Sequence, residues 1–105
     1  MLIACGGPPP PSSQLTDSKA AVRAAEVAGA QQNPEAELHY KRAAEQVQLA
    51  EKLIEQGENE RAVYVLRRAE SDAELAIALA KQEQAQKDVQ QANDEVAELK
   101  RRLQP

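Results

Sequence analysis

Apolar residues along this chain recur at steps of three and four rather than alternating, which is the period of an α-helix. The clearest run is Ala62, Leu66, Ala69, Ala73, Ala76 and Ala80, with Val63 and Ile77 beside it. A second run, Leu75, Ala78, Gln82, Ala85, Val89, Ala92, Val96, Leu99 and Leu103, lies on another face of the same stretch and continues after the first has ended. No Gly or Pro interrupts residues 59–103, so both runs belong to one predicted helix. Upstream, Ala36, Tyr40, Ala43, Val47, Ala50 and Ile54 form a heptad seam, widened by Ala44 and Leu53, that predicts a helix over 34–56. A shorter helix is expected to start at Thr16, Asp17 or Ser18 and to stop near Gly29. Its buried face is expected to be Ala20, Ala21, Ala24, Ala25 and Ala28, with Val27 beside them.

The boundaries carry recognisable stop and start chemistry. Asn33-Pro34-Glu35 offers a capping side chain, a proline at the first helical position and an acid near the positive end of the helix dipole. Gly57 suits the left-handed residue that ends a helix, and Asn59 is expected to cap the next one. Gln31-Gln32-Asn33 reads as a polar connector. So short a turn after Gly57 folds the long helix back antiparallel to its predecessor, and the first helix then runs parallel to the long one. At ~1.5 Å per residue the middle helix spans about 34 Å and the long one about 68 Å, so the middle helix is exhausted near residue 82. The expected fold class is all-α: an antiparallel three-helix bundle or coiled coil over 16–82, with a long C-terminal helix (about 59–103) extending beyond it as a protruding tail, 83–105. In that tail Val89, Ala92, Val96, Leu99 and Leu103 turn an apolar stripe to water. A solvated helix of this kind gains little from propensity alone. These residues are therefore the candidate partner-binding set, for a homo-oligomer or for another protein.

Composition thins the core and narrows the chemistry. Of 105 residues 42% are hydrophobic, but alanine dominates; there is no Phe or Trp, and Tyr40 and Tyr64 are the only aromatics. The net charge of −4 is spread with both signs interspersed, which excludes the concentrated basic stripe of a nucleic-acid binder. No run approaches the roughly 18 apolar residues of a membrane span. His39 and Glu35 make half of a metal site, and the histidine is expected to be solvated. Glu70 and Glu74 could share a proton, but no pocket is expected to tune them. Lys100-Arg101-Arg102 complements the negative end of a helix. With no phosphate loop and no nucleophile set, the chain is expected to have no catalytic residues, no metal, no cofactor and no small-molecule substrate.

The N-terminus adds a cellular address. Leu2, Ile3, Ala4 and Cys5 resemble the lipobox of bacterial lipoproteins, with residues 1–5 its remnant. The resemblance implies that Cys5 carries a thioether-linked diacylglycerol, commonly with an acyl chain such as palmitate on its amine. A signal peptide also needs a basic and then an apolar stretch ahead of the cysteine, and only four residues precede Cys5. The resemblance therefore implies either that Met1 is internal to a longer reading frame or that the chain has been trimmed. Gly6, where an Asp favours inner-membrane retention, implies the periplasmic face of the bacterial outer membrane. Residues 6–15 read as a Pro-rich flexible tether, extended at ~3.1 Å per residue. The single cysteine excludes an internal disulfide. Without lipid, the alternative is a soluble cytoplasmic coiled-coil interaction module.

Two wider likenesses follow. Leu49, Ala50, Leu53, Gly57, Ala62, Leu66 and Ala69 resemble the helix-turn-helix core of one tetratricopeptide repeat, with Asn59 where an aromatic is usual. One unit cannot make a solenoid, so convergence on a helical hairpin accounts for it. Over nearly the whole chain, the lipobox, the proline spacer, the stop at Gly57 and the segment Ala69-Glu70-Ser71-Asp72-Ala73-Glu74-Leu75-Ala76 resemble small alanine-rich bacterial lipoproteins of the domain of unknown function 4398 type. That resemblance implies a fold and an envelope location and brings no catalytic residues. The function expected is a lipid-anchored structural or adaptor module acting through a coiled-coil helix.

Overall fold

A computed structural model describes residues 7–105, which form α1 (Ser12–Val27), one 3-10 turn (Ala30–Gln32), α2 (Pro34–Glu55) and α3 (Asn59–Arg102). Among the described residues there is no strand. The lipobox residues, Cys5 and Gly6 lie outside them.

α2 starts where the sequence places it. The Asn33 side chain accepts hydrogen bonds from the Glu35 and Ala36 amides at 2.9 and 3.2 Å, and Pro34 holds the first helical position, where no donor is needed. It ends at Gly57, whose φ of +78° is open to glycine without strain. There the Glu58 amide donates to the Leu53 carbonyl at 2.8 Å and the Gly57 amide to Ile54 at 3.0 Å, closing the last turn in a Schellman motif. α3 begins at once and runs back along α2.

The buried surface is a seam of methyl groups. Ala62, Leu66, Ala69, Ala73, Ala76 and Ala80 of α3 are all buried, facing Ala36, Ala43, Val47, Ala50 and Leu53 of α2. At the Gly57 end Ala50, Leu53, Ala62 and Leu66 cluster with Leu15 of α1; at the far end Ala25, Ala30, Ala36, Ala76 and Ala80 cluster with Tyr40 and Ile77. These pairings run α1 parallel to α3. Leu66 and Ser18 are the largest fully buried side chains, so the bundle is thin, and the molecule is a rod measuring 95 × 19 × 14 Å.

Three local expectations are corrected. α1 begins at Ser12, not in 16–18, because Leu15 has an apolar site to fill between α2 and α3. The carbonyls of Pro10 and Pro11 accept from the Ser12 and Leu15 amides at 2.8 and 2.9 Å, so the prolines supply acceptors that start the helix. Residues 12–15 therefore belong to the bundle and not to a flexible tether over 6–15. The buried face of α1 is Leu15, Ser18, Val22 and Ala25, with Ser18 and Ala25 fully covered, whereas Ala20, Ala24 and Val27 face solvent. Alanine is tolerated on either face, so Leu15 and Val22 register this helix. Finally, Asn59 does not cap α3: Glu58 stands at the N-cap without a side-chain bond, and the Asn59 amide Nδ2 donates to the Pro8 carbonyl at 2.9 Å. Pro8 is thereby held at the Gly57 end of the bundle.

Candidate interaction surface

Past Ala80 the environment of α3 changes. α2 begins at Pro34 and has no residue left to offer, and every residue from 84 to 105 except Glu98 is exposed. The helix nevertheless continues to Arg102. Side chains one turn apart support it: Lys87 reaches Glu83 at 3.4 Å, Gln84 donates to Asp88 at 2.9 Å, Gln90 to Asp94 at 3.0 Å and Gln91 to Glu95 at 3.2 Å. Glu98 meets both Arg101 and Arg102, and the Arg102 bond is 3.3 Å. Each such exposed pair contributes about 0.2–0.5 kcal/mol. Lys100, Arg101 and Arg102 close the last turn against the negative end of the dipole.

The stripe predicted from the sequence lies on this support. Val89, Val96, Leu99 and Leu103 are 60%, 49%, 56% and 83% exposed, and Ala92 is exposed with them. The structure thus places the five predicted residues along one helical edge, with no segment of the described residues over them. The edge extends back through Ala85, Gln82 and Ala78 to Leu75, all exposed although Leu75 and Ala78 lie within the bundle's length. Three of these outer positions follow an inner one by two residues: Leu75 after Ala73, Ala78 after Ala76 and Gln82 after Ala80. Two residues turn an α-helix by about 200°, so the outer edge is opposite the buried seam.

Polar contacts between the helices belong to the bundle. Ser18, buried beneath α3, donates its hydroxyl toward the Leu66 carbonyl and Glu70 Oε1, both at 3.3 Å. His39 is not freely solvated as expected; its Nδ1 lies 3.2 Å from Asp72 Oδ1, and both side chains are about four-fifths covered. The Tyr40 hydroxyl donates to Glu26 at 3.3 Å. Burial first, then the charge of Glu26 and the bond to it, raise that hydroxyl above its ordinary pKa. Sequence reasoning missed Ser18 and Asp72 because each meets a residue far along the chain.

A hollow of about 740 Å³ is an open trough between α2 and α3 lined by Arg42, Gln46, Arg67, Arg68, Ser71 and Asp72. Arg67 also sits 5.9 Å above the Tyr64 ring. Among the described residues no group of three or more His, Cys, Asp or Glu is disposed to hold a metal ion, and no helix is long and apolar enough to cross a membrane.

The family model described as Domain of unknown function (DUF4398) matches residues 13–92, the whole bundle and the first part of the protruding helix. The chain belongs to that family. No curated protein and no solved structure matches it.

Proposed function

We propose that this DUF4398 chain is a lipid-anchored adaptor of the bacterial envelope, which holds its bundle at a membrane and offers the outer edge of α3 to another polypeptide. The observation that carries this reading is the unpaired edge: Val89, Ala92, Val96, Leu99 and Leu103 are exposed on a continuous helix that outruns every other element of the described chain. Large apolar groups held in water at heptad spacing are an interface without its second half. The lipobox-like residues Leu2, Ile3, Ala4 and Cys5 supply the anchor in this reading, on the periplasmic face of the outer membrane. Pro8, three residues after Cys5 in sequence, is bonded to Asn59 at the end of α3 away from its last turn, which supports a reading with the anchor at that end. At ~1.5 Å per residue α3 then projects the edge up to about 66 Å from the anchored end. No catalysis is assigned.

Metabolic labelling with palmitate in the native host tests the anchor: label on the wild-type chain and none on Cys5→Ser is expected, and an unlabelled chain with an intact Met1 would refute it. A photo-crosslinking residue at Val96, set against one at Leu38 on the bundle, tests the edge. A discrete adduct at Val96 alone is expected; none at Val89, Val96 or Leu99 would refute the adaptor.

A further inference from the structure

We infer that the outer edge of α3 is covered by the same edge of a second copy, as a parallel, in-register two-stranded coiled coil over residues 75–103. This rests on the reading of the edge as an interface and commits it to one occupant. In heptad register Leu75, Gln82, Val89, Val96 and Leu103 are a positions, and Ala78, Ala85, Ala92 and Leu99 are d positions. The spacing holds without a break through all nine, and all are exposed in one copy. Because the edge lies opposite the buried seam, a second α3 can lie along it while α1 and α2 of each copy stay on the outside.

The limits of the pairing are written in the same register. Continued upstream it would bring Ser71 and Arg68 into the interface, and Arg68 would face its own copy. Pairing therefore starts at Leu75, while Leu103 ends it, next to the last helical residue.

Charge selects the orientation. In a parallel pair a g residue meets the e residue five positions later on the partner. Glu95 at g then meets Lys100 at e, and neither has an ion partner in its own chain among the described residues. The remaining flanking pairs are Lys81 with Gln86 and Asp88 with Asn93, so no like charges are opposed. In an antiparallel pair the stagger that sets Asp88 against Glu95 also opposes Lys81 and Arg102. Those that set Glu95 against Glu95 or Asp88 against Asp88 keep one like-charged pair beside the attractions Asp88 with Arg102 or Lys81 with Glu95, whereas the parallel pair opposes no like charges. Valine at a followed by leucine at d, the combination at Val96 and Leu99, favours two strands over more. Gln82 at a finds a hydrogen-bonding equal, Gln82 of the other copy, only in the in-register parallel pair. Alanine at three of four d positions lets the two axes come close. Both N-termini then lie on one side, so two copies anchored in one membrane can pair.

Disulfide trapping on the full chain decides this. With Cys5→Ser removing the native thiol, Leu99→Cys places two thiols across a d layer, whereas Ala97→Cys points away from it. On oxidation the Leu99→Cys chain is expected to form covalent dimer roughly tenfold faster than the Ala97→Cys chain. Equal rates would overturn the pairing. A mixture of Val89→Cys and Leu99→Cys chains that links 89 to 99 faster than 99 to 99 would overturn the parallel register. Sedimentation of the Cys5→Ser chain is expected to show a monomer–dimer equilibrium; a strict monomer, or a trimer, would refute the proposal. A strict monomer that still gives the Val96 adduct to another protein would refute the pairing and keep the adaptor.

Discussion

The two halves of α3 invert the usual relation between size and burial. From Asn59 to Ala80 the inner face is one leucine and five alanines, all buried. Beyond Gln82 the face at heptad spacing carries Val89, Val96, Leu99 and Leu103, and all are exposed. Both halves carry alanine and glutamate, although every glutamine of α3 lies beyond Ala80. What separates them is the end of α2. The first half has small side chains because helices of its own chain approach closely there. The second half keeps its bulk on the outside, where an unpaired helix gains nothing from it.

Substitution should break the two halves unequally. Leu66→Ala removes the largest apolar group of the core and is expected to cost about 2–5 kcal/mol in chemical denaturation, whereas Leu99→Ala at micromolar concentration should change bundle stability by less than about 0.5 kcal/mol. Comparable losses would mean that the tail packs on the bundle. Enlarging the seam with Ala76→Leu should cost about 1–3 kcal/mol, because no space separates α3 from α1 and α2 there; a neutral result would show that the axes can part. At the helix ends Asn33→Ala should cost about 1 kcal/mol for the lost cap. Gly57→Ala should cost about 1–2 kcal/mol: a Cβ meets nothing within 4 Å there, so the loss comes from the positive φ alone.

A smaller effect marks the α1–α2 contact. Because the Tyr40 hydroxyl is raised in the folded chain, the stability that it contributes is present below its unfolded value and is lost as pH rises through the folded one. The melting temperature should therefore fall above about pH 10, and less so in Tyr40→Phe. The smallest effect sharpens the comparison most. Deleting residues 87–105 should leave the melting temperature of a dilute sample within about 2 °C of the full chain, since no residue of the bundle loses a neighbour.

The seam of α3 was legible to the residue, because Leu66 anchors its phase and the alanines keep step with it. Asn33-Pro34 and Gly57 were legible as well, since a cap and a left-handed residue depend only on their immediate neighbours. The face of α1 was read only in part: Ala25 is buried and Ala21 and Ala28 are half-buried, whereas Ala20, Ala24 and Val27 face solvent. The cause is that alanines occur around most of its circumference and Leu15, which sets the phase, precedes the expected cap. Asn59 looks like a cap in sequence, but the Schellman turn leaves it inside the helix with Pro8 as its partner. The contacts of His39 with Asp72 and of Ser18 with Glu70 join residues 33 and 52 apart, and only the register of packed helices brings them together. Of the interface, the exposed edge was visible in the heptads, whereas its lying opposite the buried seam needed the bundle.

Residue-resolved amide hydrogen exchange along α3, followed as protein concentration rises, tests the central claim most directly. Amides from 62 to 80 are expected to be protected at every concentration, because their opening requires the bundle to unfold. Those from 85 to 102 are expected to exchange fast in dilute solution and to gain protection as the chain is concentrated, since a lone helical stretch of that length is marginal in water. Strong protection of the tail that does not change with concentration would contradict the account, because the outer edge would then need no partner.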